Sequence, residues 1–153
     1  MEAKNFISTK YFSGYPCTHR QWKAKDSHCR FIHGYSRAFY FEFAAKELTK
    51  EGWVVDFGGL KEIKDWLEYM FDHTFLANED DPYLDSFRQM DKDGVIQLRI
   101  FDNIGMEGTA KYVFEEVDKV IRRQSDNRAW VHRVEVRENE KNSAFYQPHS
   151  PVI

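Results

Sequence analysis

The sequence predicts an α+β protein built on a mostly antiparallel sheet, with two helices on one face. Three observations carry this. Tyr35 to Ala45 alternates with period two, placing Tyr35, Arg37, Phe39, Phe41 and Phe43 on one face. Two later stretches carry apolar residues at helical spacing: Leu60, Ile63, Leu67, Met70 and Phe71, then Ala110, Val113, Phe114, Val117, Val120 and Ile121. Strands come first and helices are interspersed late, without the regular strand–helix alternation of a parallel fold.

In order, Phe6 to Phe12 is rich in aromatic and β-branched residues and reads as a first strand. Ser13-Gly14-Tyr15-Pro16 breaks or turns it, and Gln21 to Asp26 reads as a polar loop. The long strand from Tyr35 follows. Glu47 to Gly52 supplies a turn, and Trp53 to Phe57 reads as a short returning strand that would make a hairpin. Gly58-Gly59 releases the chain into the first helix, which should end near Asp72-His73. Asn78 to Pro82 is an acidic loop, and Tyr83 to Lys92 a helix stopped by Asp93-Gly94. Val95 to Phe101 reads as a strand, Met106 to Gln124 as the second long helix, and Trp130 to Arg137 as a last strand, with Trp130, His132, Val134 and Val136 on one face. The tail from about 147 to 153 is expected to fray.

Composition narrows the function classes. The 153 residues are 42% hydrophobic and 16% aromatic, enough for one domain, 1–153, with a real core. Formal net charge is −3 with acids and bases interleaved, which argues against nucleic-acid binding. The first residues lack a signal peptide's apolar core and no long apolar run follows, so no membrane partner and a cytoplasmic location are expected. Two cysteines make no disulfide framework.

Chemistry concentrates between Cys17 and Tyr35, where both cysteines and His19, His28 and His33 fall within nineteen positions. Cys17, His19, His28 and Cys29 have ligand types that suit a structural zinc, at a spacing of no common finger. A Cys17–Cys29 bridge is a further alternative.

Four blocks in series resemble the 6-pyruvoyltetrahydropterin synthase superfamily, and within it the bacterial 6-carboxytetrahydropterin synthases of queuosine biosynthesis. Cys29 precedes His33-Gly34 by the spacing of the family's catalytic cysteine to its His-Gly-His. Gly52 to Lys61 is similar to Gly-x-x-x-Asp-Phe-x-x-Leu-Lys, and Phe71 to Leu76 to Leu-Asp-His-x-x-Leu. Val134 to Glu138 resembles the strand bearing the pterin-anchoring glutamate. The resemblance implies the tunnelling fold (T-fold), here an antiparallel four-stranded sheet with two helices on one face plus an inserted helix and strand at about 78–105. It implies homotrimers or homohexamers with active sites between subunits.

It also implies a zinc-dependent lyase converting 7,8-dihydroneopterin triphosphate to 6-carboxytetrahydropterin, acetaldehyde and triphosphate. The pyruvoyl synthase reaction, or a non-catalytic pterin- or purine-binding oligomer, are the alternatives. By the same resemblance Cys29, Asp72 and His73 are catalytic, Glu138 and Glu107 bind substrate, and His19 and His33 are zinc ligands. The chain departs at Tyr35, where the family has a third histidine, and a neutral phenol is a poor zinc ligand. His28, in the same loop, is the nearest replacement. The family's Pro-Thr-x-Glu motif is reduced to Glu107.

Each assignment has a structural counterpart. His33 also reads as a hydrogen-bonded core histidine, Cys29 as filler, and His73 as a charge complementing a helix end. Glu138 also reads as one more solvated acid in an acidic stretch, and Glu107 as a first-turn helix acid.

Overall fold

A computed structural model describes residues 4–148. Six strands form one mixed sheet in the order β4-β3-β1-β2-β5-β6. The strands are β1 (Phe6–His19), β2 (His33–Ala45), β3 (Thr74–Asn78), β4 (Leu98–Phe101), β5 (Ala129–Arg137) and β6 (Ser143–Tyr146). Three α-helices accompany them: α1 (Lys61–Phe71), α2 (Leu84–Lys92) and α3 (Met106–Gln124). The α+β class holds, with six strands where four and an inserted fifth were expected. The sheet is mixed because β3 runs parallel to both β1 and β4.

The long β1–β2 hairpin dominates. Phe39, Phe41 and Phe43 of β2 are fully buried, as their alternation predicts, and each adds about 2–3 kcal/mol of hydrophobic stabilisation. Against this face pack Ile63, Leu67 and Phe71 of α1 and Val113, Val117 and Ile121 of α3. The helix α2 lies apart, in a second small core with Phe75, Ala77 and Phe87. β3 therefore contributes to both cores, and all five of its residues are buried. A strand covered on both faces shows no alternation, which is why it escaped the periodicity reading.

Two bulges reset which side chains face inward. In β1 the register shifts between Ser13 and Tyr15, leaving Gly14, at φ +88°, as the extra residue. Phe12 is buried before the bulge, and Tyr15, Cys17 and His19 after it. Gly14 is thus a bulge inside one strand and not the expected break. In β5 the register slips opposite Glu42–Phe43, where Arg133 and Val131 are the partners and His132 is the extra residue. The buried set is consequently Ala129, Val131, Val134 and Val136, so that of the expected face Val134 and Val136 are buried while Trp130 and His132 are only half-buried.

The expected strand Trp53 to Phe57 does not form. Both edges of β2 are already taken, by β1 and β5, so a further strand has no place to pair. Val54 and Val55 enter the core as irregular backbone, and Arg128 donates to the carbonyls of Val54 (2.6 Å) and Glu47 (2.8 Å) instead. The strand expected from Val95 begins only at Leu98. The expected frayed tail lies outside the described residues from 149 on.

Candidate active site

β1 and β2 are antiparallel partners as far as His19 and His33, which stand opposite each other at the end of the ladder. Their rings are 4.5 Å apart. Gly34 lets the strands close here, since a Cβ on it would lie 2.8 Å from the Cys17 carbonyl oxygen and the Thr18 methyl. From the end of β5, Glu138 completes a group. Donor atoms of His19, His33 and Glu138 all lie within 4.8 Å of one another, the one such group among the described residues. His28 is outside it. It sits on a single 3-10 turn (His28–Arg30), its ring 6.4 Å from that of Phe31. Cys17 and Cys29 are both free thiols and belong to no grouped set, so neither the bridge nor the four-ligand structural zinc forms.

Two imidazoles and a carboxylate are a known ligand set for catalytic zinc. The group suits the metal that the resemblance implies. His33 Nδ1 lies 2.6 Å from the Phe31 carbonyl oxygen, which can only accept. The ring proton is therefore on Nδ1 and the Nε2 lone pair is available, the arrangement that orients metal-binding histidines. His19 is buried, and its pKa is pushed down to about 3 by that burial, then by the Arg37 charge and the neighbouring His33. It is neutral at physiological pH, as a ligand must be.

Beneath the group lies a charge that was not singled out as a site residue. Arg37 is 1% exposed, with Nη2 3.1 Å from His19 Nδ1 and Nη1 3.4 Å from Thr109 Oγ1 on α3. The signal was present: one cation in the otherwise aromatic face of β2. Tyr35 is partly exposed, its ring edge-on to His33 at 5.8 Å.

Asp72 and His73 stand where α1 ends. Asp72 leaves the helix with φ −88° and ψ 113°, and His73 has φ +58°. That break lets adjacent side chains meet: Asp72 Oδ1 is 2.7 Å from His73 Nδ1. The carboxylate accepts the Nδ1 proton and leaves Nε2 free. Pro16 accepts from the His73 backbone N–H (2.7 Å), and Gln97 donates to its carbonyl (3.1 Å). His73, Cys17, Tyr35, Phe75 and Gln97 help line a cleft of about 510 Å³.

Cys29 is exposed, on a loop held elsewhere. Its carbonyl accepts from Gln21 N–H (2.7 Å). Arg20 grips Asp81 through two hydrogen bonds of 2.8 Å, and Trp22 donates to Asp80 at 3.0 Å. The acidic loop of the inserted segment thus anchors the Cys29 loop. Burial would raise the Asp81 pKa, but the Arg20 hydrogen bonds, the Tyr83 backbone N–H and the Arg20 charge hold it below the usual carboxylate range. Burial pushes the Cys17 thiol up, partly offset by Arg37, which makes it a poor nucleophile. Glu107 is an exposed acid in the first turn of α3.

Fold and site together define an α+β protein with an imidazole and carboxylate centre at the open end of its longest hairpin. Residues 8–149 match the family model described as 6-pyruvoyl tetrahydropterin synthase. The chain belongs to that family. Among curated relatives, the 6-carboxy-5,6,7,8-tetrahydropterin synthase of Rickettsia felis is 37% identical over 54 residues, covering 35% of this chain and 39% of the relative. The probable 6-carboxy-5,6,7,8-tetrahydropterin synthase of Halobacterium salinarum is 39% identical over 75 residues, covering 48% and 46%. The matched region thus spans less than half the length of these relatives.

Solved structures match over nearly the whole chain. An uncharacterized protein from Wolinella succinogenes has a TM-score of 0.81 at 18% identity, covering 95% of this chain and 99% of that one. The 6-pyruvoyl tetrahydropterin synthase of Plasmodium vivax has a TM-score of 0.64 at 16% identity, covering 92% and 97%. These likenesses establish the tunnelling fold. Among the described residues, no helix is long and apolar enough to cross a membrane.

Proposed function

We propose that the chain is a pterin lyase of the 6-carboxytetrahydropterin synthase type, acting on 7,8-dihydroneopterin triphosphate in the cytoplasm as a step towards queuosine. Its products would be 6-carboxytetrahydropterin, acetaldehyde and triphosphate. The observation that carries this is the convergence of His19, His33 and Glu138, in a chain of this family, at the end of the β1–β2 ladder.

A zinc ion held by these donors would acidify the hydroxyls of the substrate side chain. The remaining work falls to the chain. Cys29, as thiolate, takes a proton from the side chain. Asp72 fixes the tautomer of His73, whose free Nε2 then accepts or returns a proton. In this reading Glu138 supplies the third donor in the place that Tyr35 leaves; its carboxylate also suits the guanidine-like edge of a pterin, but that role belongs to the metal-free reading, since one carboxylate cannot serve both at once. His28 is left out of the donor set, and Glu107 is the remaining substrate-side candidate. Cys29 and the Asp72–His73 pair make their contacts with different parts of the chain, which suits a site completed by a second copy. A homotrimer or homohexamer follows from that reading.

The test is Cys29→Ala, assayed for triphosphate release and for acetaldehyde, with assembly followed by sedimentation. Loss of both products with assembly retained is expected; full turnover would sink the mechanism. Triphosphate without acetaldehyde from the wild-type chain would indicate the pyruvoyl synthase reaction. A second reading, a pterin-binding oligomer without turnover, is favoured by Tyr35 at the third-ligand position, and predicts pterin binding without product.

A further inference from the structure

Arg37 is the one charged side chain among the largest fully buried ones, and it lies against the group proposed to hold metal. A guanidinium has only N–H donors and does not lose its proton in proteins. The direction of both its hydrogen bonds follows. Thr109 Oγ1 gives its own proton to the Ile104 carbonyl (3.2 Å), and so accepts from Arg37. His19 Nδ1, at 3.1 Å, must likewise accept. Its lone pair is therefore occupied, and the neutral ring carries its proton on Nε2.

This is the reverse of His33. There a carbonyl takes the Nδ1 proton and leaves Nε2 open to an ion. An ion at Nδ1 of His19 would take Arg37's place. An ion at Nε2 needs the proton moved to Nδ1, where Arg37 could no longer donate. Either way, loading His19 with metal and keeping the Arg37–His19 hydrogen bond exclude each other. The guanidinium also adds a fixed positive charge beside any cation, at the buried His19 end of the group.

We propose that Arg37 is a built-in competitor of the metal, holding the Nδ1 lone pair of His19 until it is displaced. The inference rests on the reading of His19, His33 and Glu138 as the metal site. Arg37 acts through His19 and is a positioning residue. The second anchor, Thr109 in α3, keeps the guanidinium in reach, so this chain binds a divalent ion more weakly than the same donors would beside a neutral residue.

The test compares the wild type with Arg37→Met, both stripped of metal. Zn²⁺ affinity is read by competition with a chromophoric chelator, and Co²⁺ by its visible absorption bands. Removing a charge-assisted hydrogen bond to the ligand should tighten binding at least about tenfold. His33→Ala should lower binding in both backgrounds. Equal affinity in wild type and Arg37→Met would overturn the competitor and leave the metal site standing. Metal bound by neither would overturn both.

Should Arg37→Met fail to fold, the wild type decides. Long-range ¹H–¹⁵N correlation of the metal-free protein should place the His19 proton on Nε2. A proton on Nδ1 would overturn the proposal. A merely structural tie between β2 and α3 would leave metal affinity unmoved.

Discussion

Removing Arg20 should unfasten the Cys29 loop from the inserted segment. Arg20→Met keeps most of the aliphatic bulk and deletes both 2.8 Å hydrogen bonds to Asp81. The Asp81 side chain is 1% exposed, so the substitution leaves a buried carboxylate with the Tyr83 backbone N–H (2.9 Å) as its remaining strong donor. Breaking a buried pair from one side costs about 3–5 kcal/mol. Arg20 itself is 19% exposed, so water softens the loss, and about 2–3 kcal/mol is expected.

Asp81→Asn keeps an acceptor and should cost about 1–2 kcal/mol. Urea denaturation of both single variants and the double variant gives the coupling, expected near ~1.5 kcal/mol. Hydrogen exchange adds a local readout, because the Gln21 N–H bonded to the Cys29 carbonyl should lose protection in Arg20→Met. The acid limb supplies a third. Asp81 titrates below the usual carboxylate range when folded, so the unfolded chain binds more protons as pH falls. Its stabilisation is complete above about pH 4 and disappears as pH drops through the folded pKa, a dependence that Asp81→Asn should lack. A coupling under about 0.5 kcal/mol, with Gln21 still protected, would refute the pin.

Gly34→Ala should destabilise by about 2 kcal/mol or more, because a Cβ would meet the Cys17 carbonyl oxygen and the Thr18 methyl at 2.8 Å; a melting temperature within about 1 °C of wild type would contradict the close approach. The Tyr15 phenol, pushed up to about 12 by burial and then by Glu68 and Asp72, stays protonated where the unfolded chain ionises. Stability should therefore fall as pH rises from about 10 towards 12, and less so in Tyr15→Phe, as denaturation at stepped alkaline pH would reveal.

What the sequence made legible was what repeats. The phenylalanines of β2 and the apolar stripes of α1 and α3 give their elements almost to the residue, α3 from Met106 to Gln124 as expected. Thr74 to Asn78 did not, because both faces of β3 are covered and nothing alternates. Val54 and Val55 misled because β-branched residues also suit a buried turn when an arginine caps its carbonyls. At the site, His19 and His33 were legible through their motif, and the Asp72–His73 break through its need to end a helix. Glu138 as a partner of the histidines was not, since strand order brings it there and local spacing does not. Arg37 stood in plain view within an aromatic face. Nothing in one strand says that the opposite strand offers it an imidazole.

Gly14 has a consequence for how chains of this kind can change. A strand sorts its residues by odd and even count, and this one switches the rule midway. Phe12 is inward on the even count, and Tyr15, Cys17 and His19 on the odd. Were Gly14 paired as an ordinary strand residue, Tyr15, Cys17 and His19 would turn to the outer face; as the unpaired extra residue it leaves them inward, and a chain lacking it would alternate regularly from Phe12 and keep His19 inward as well. The single added residue acts as a frame setting for the second half of β1. One codon can therefore be gained or lost at this point while the metal group keeps its facing, because the bulge absorbs the odd count.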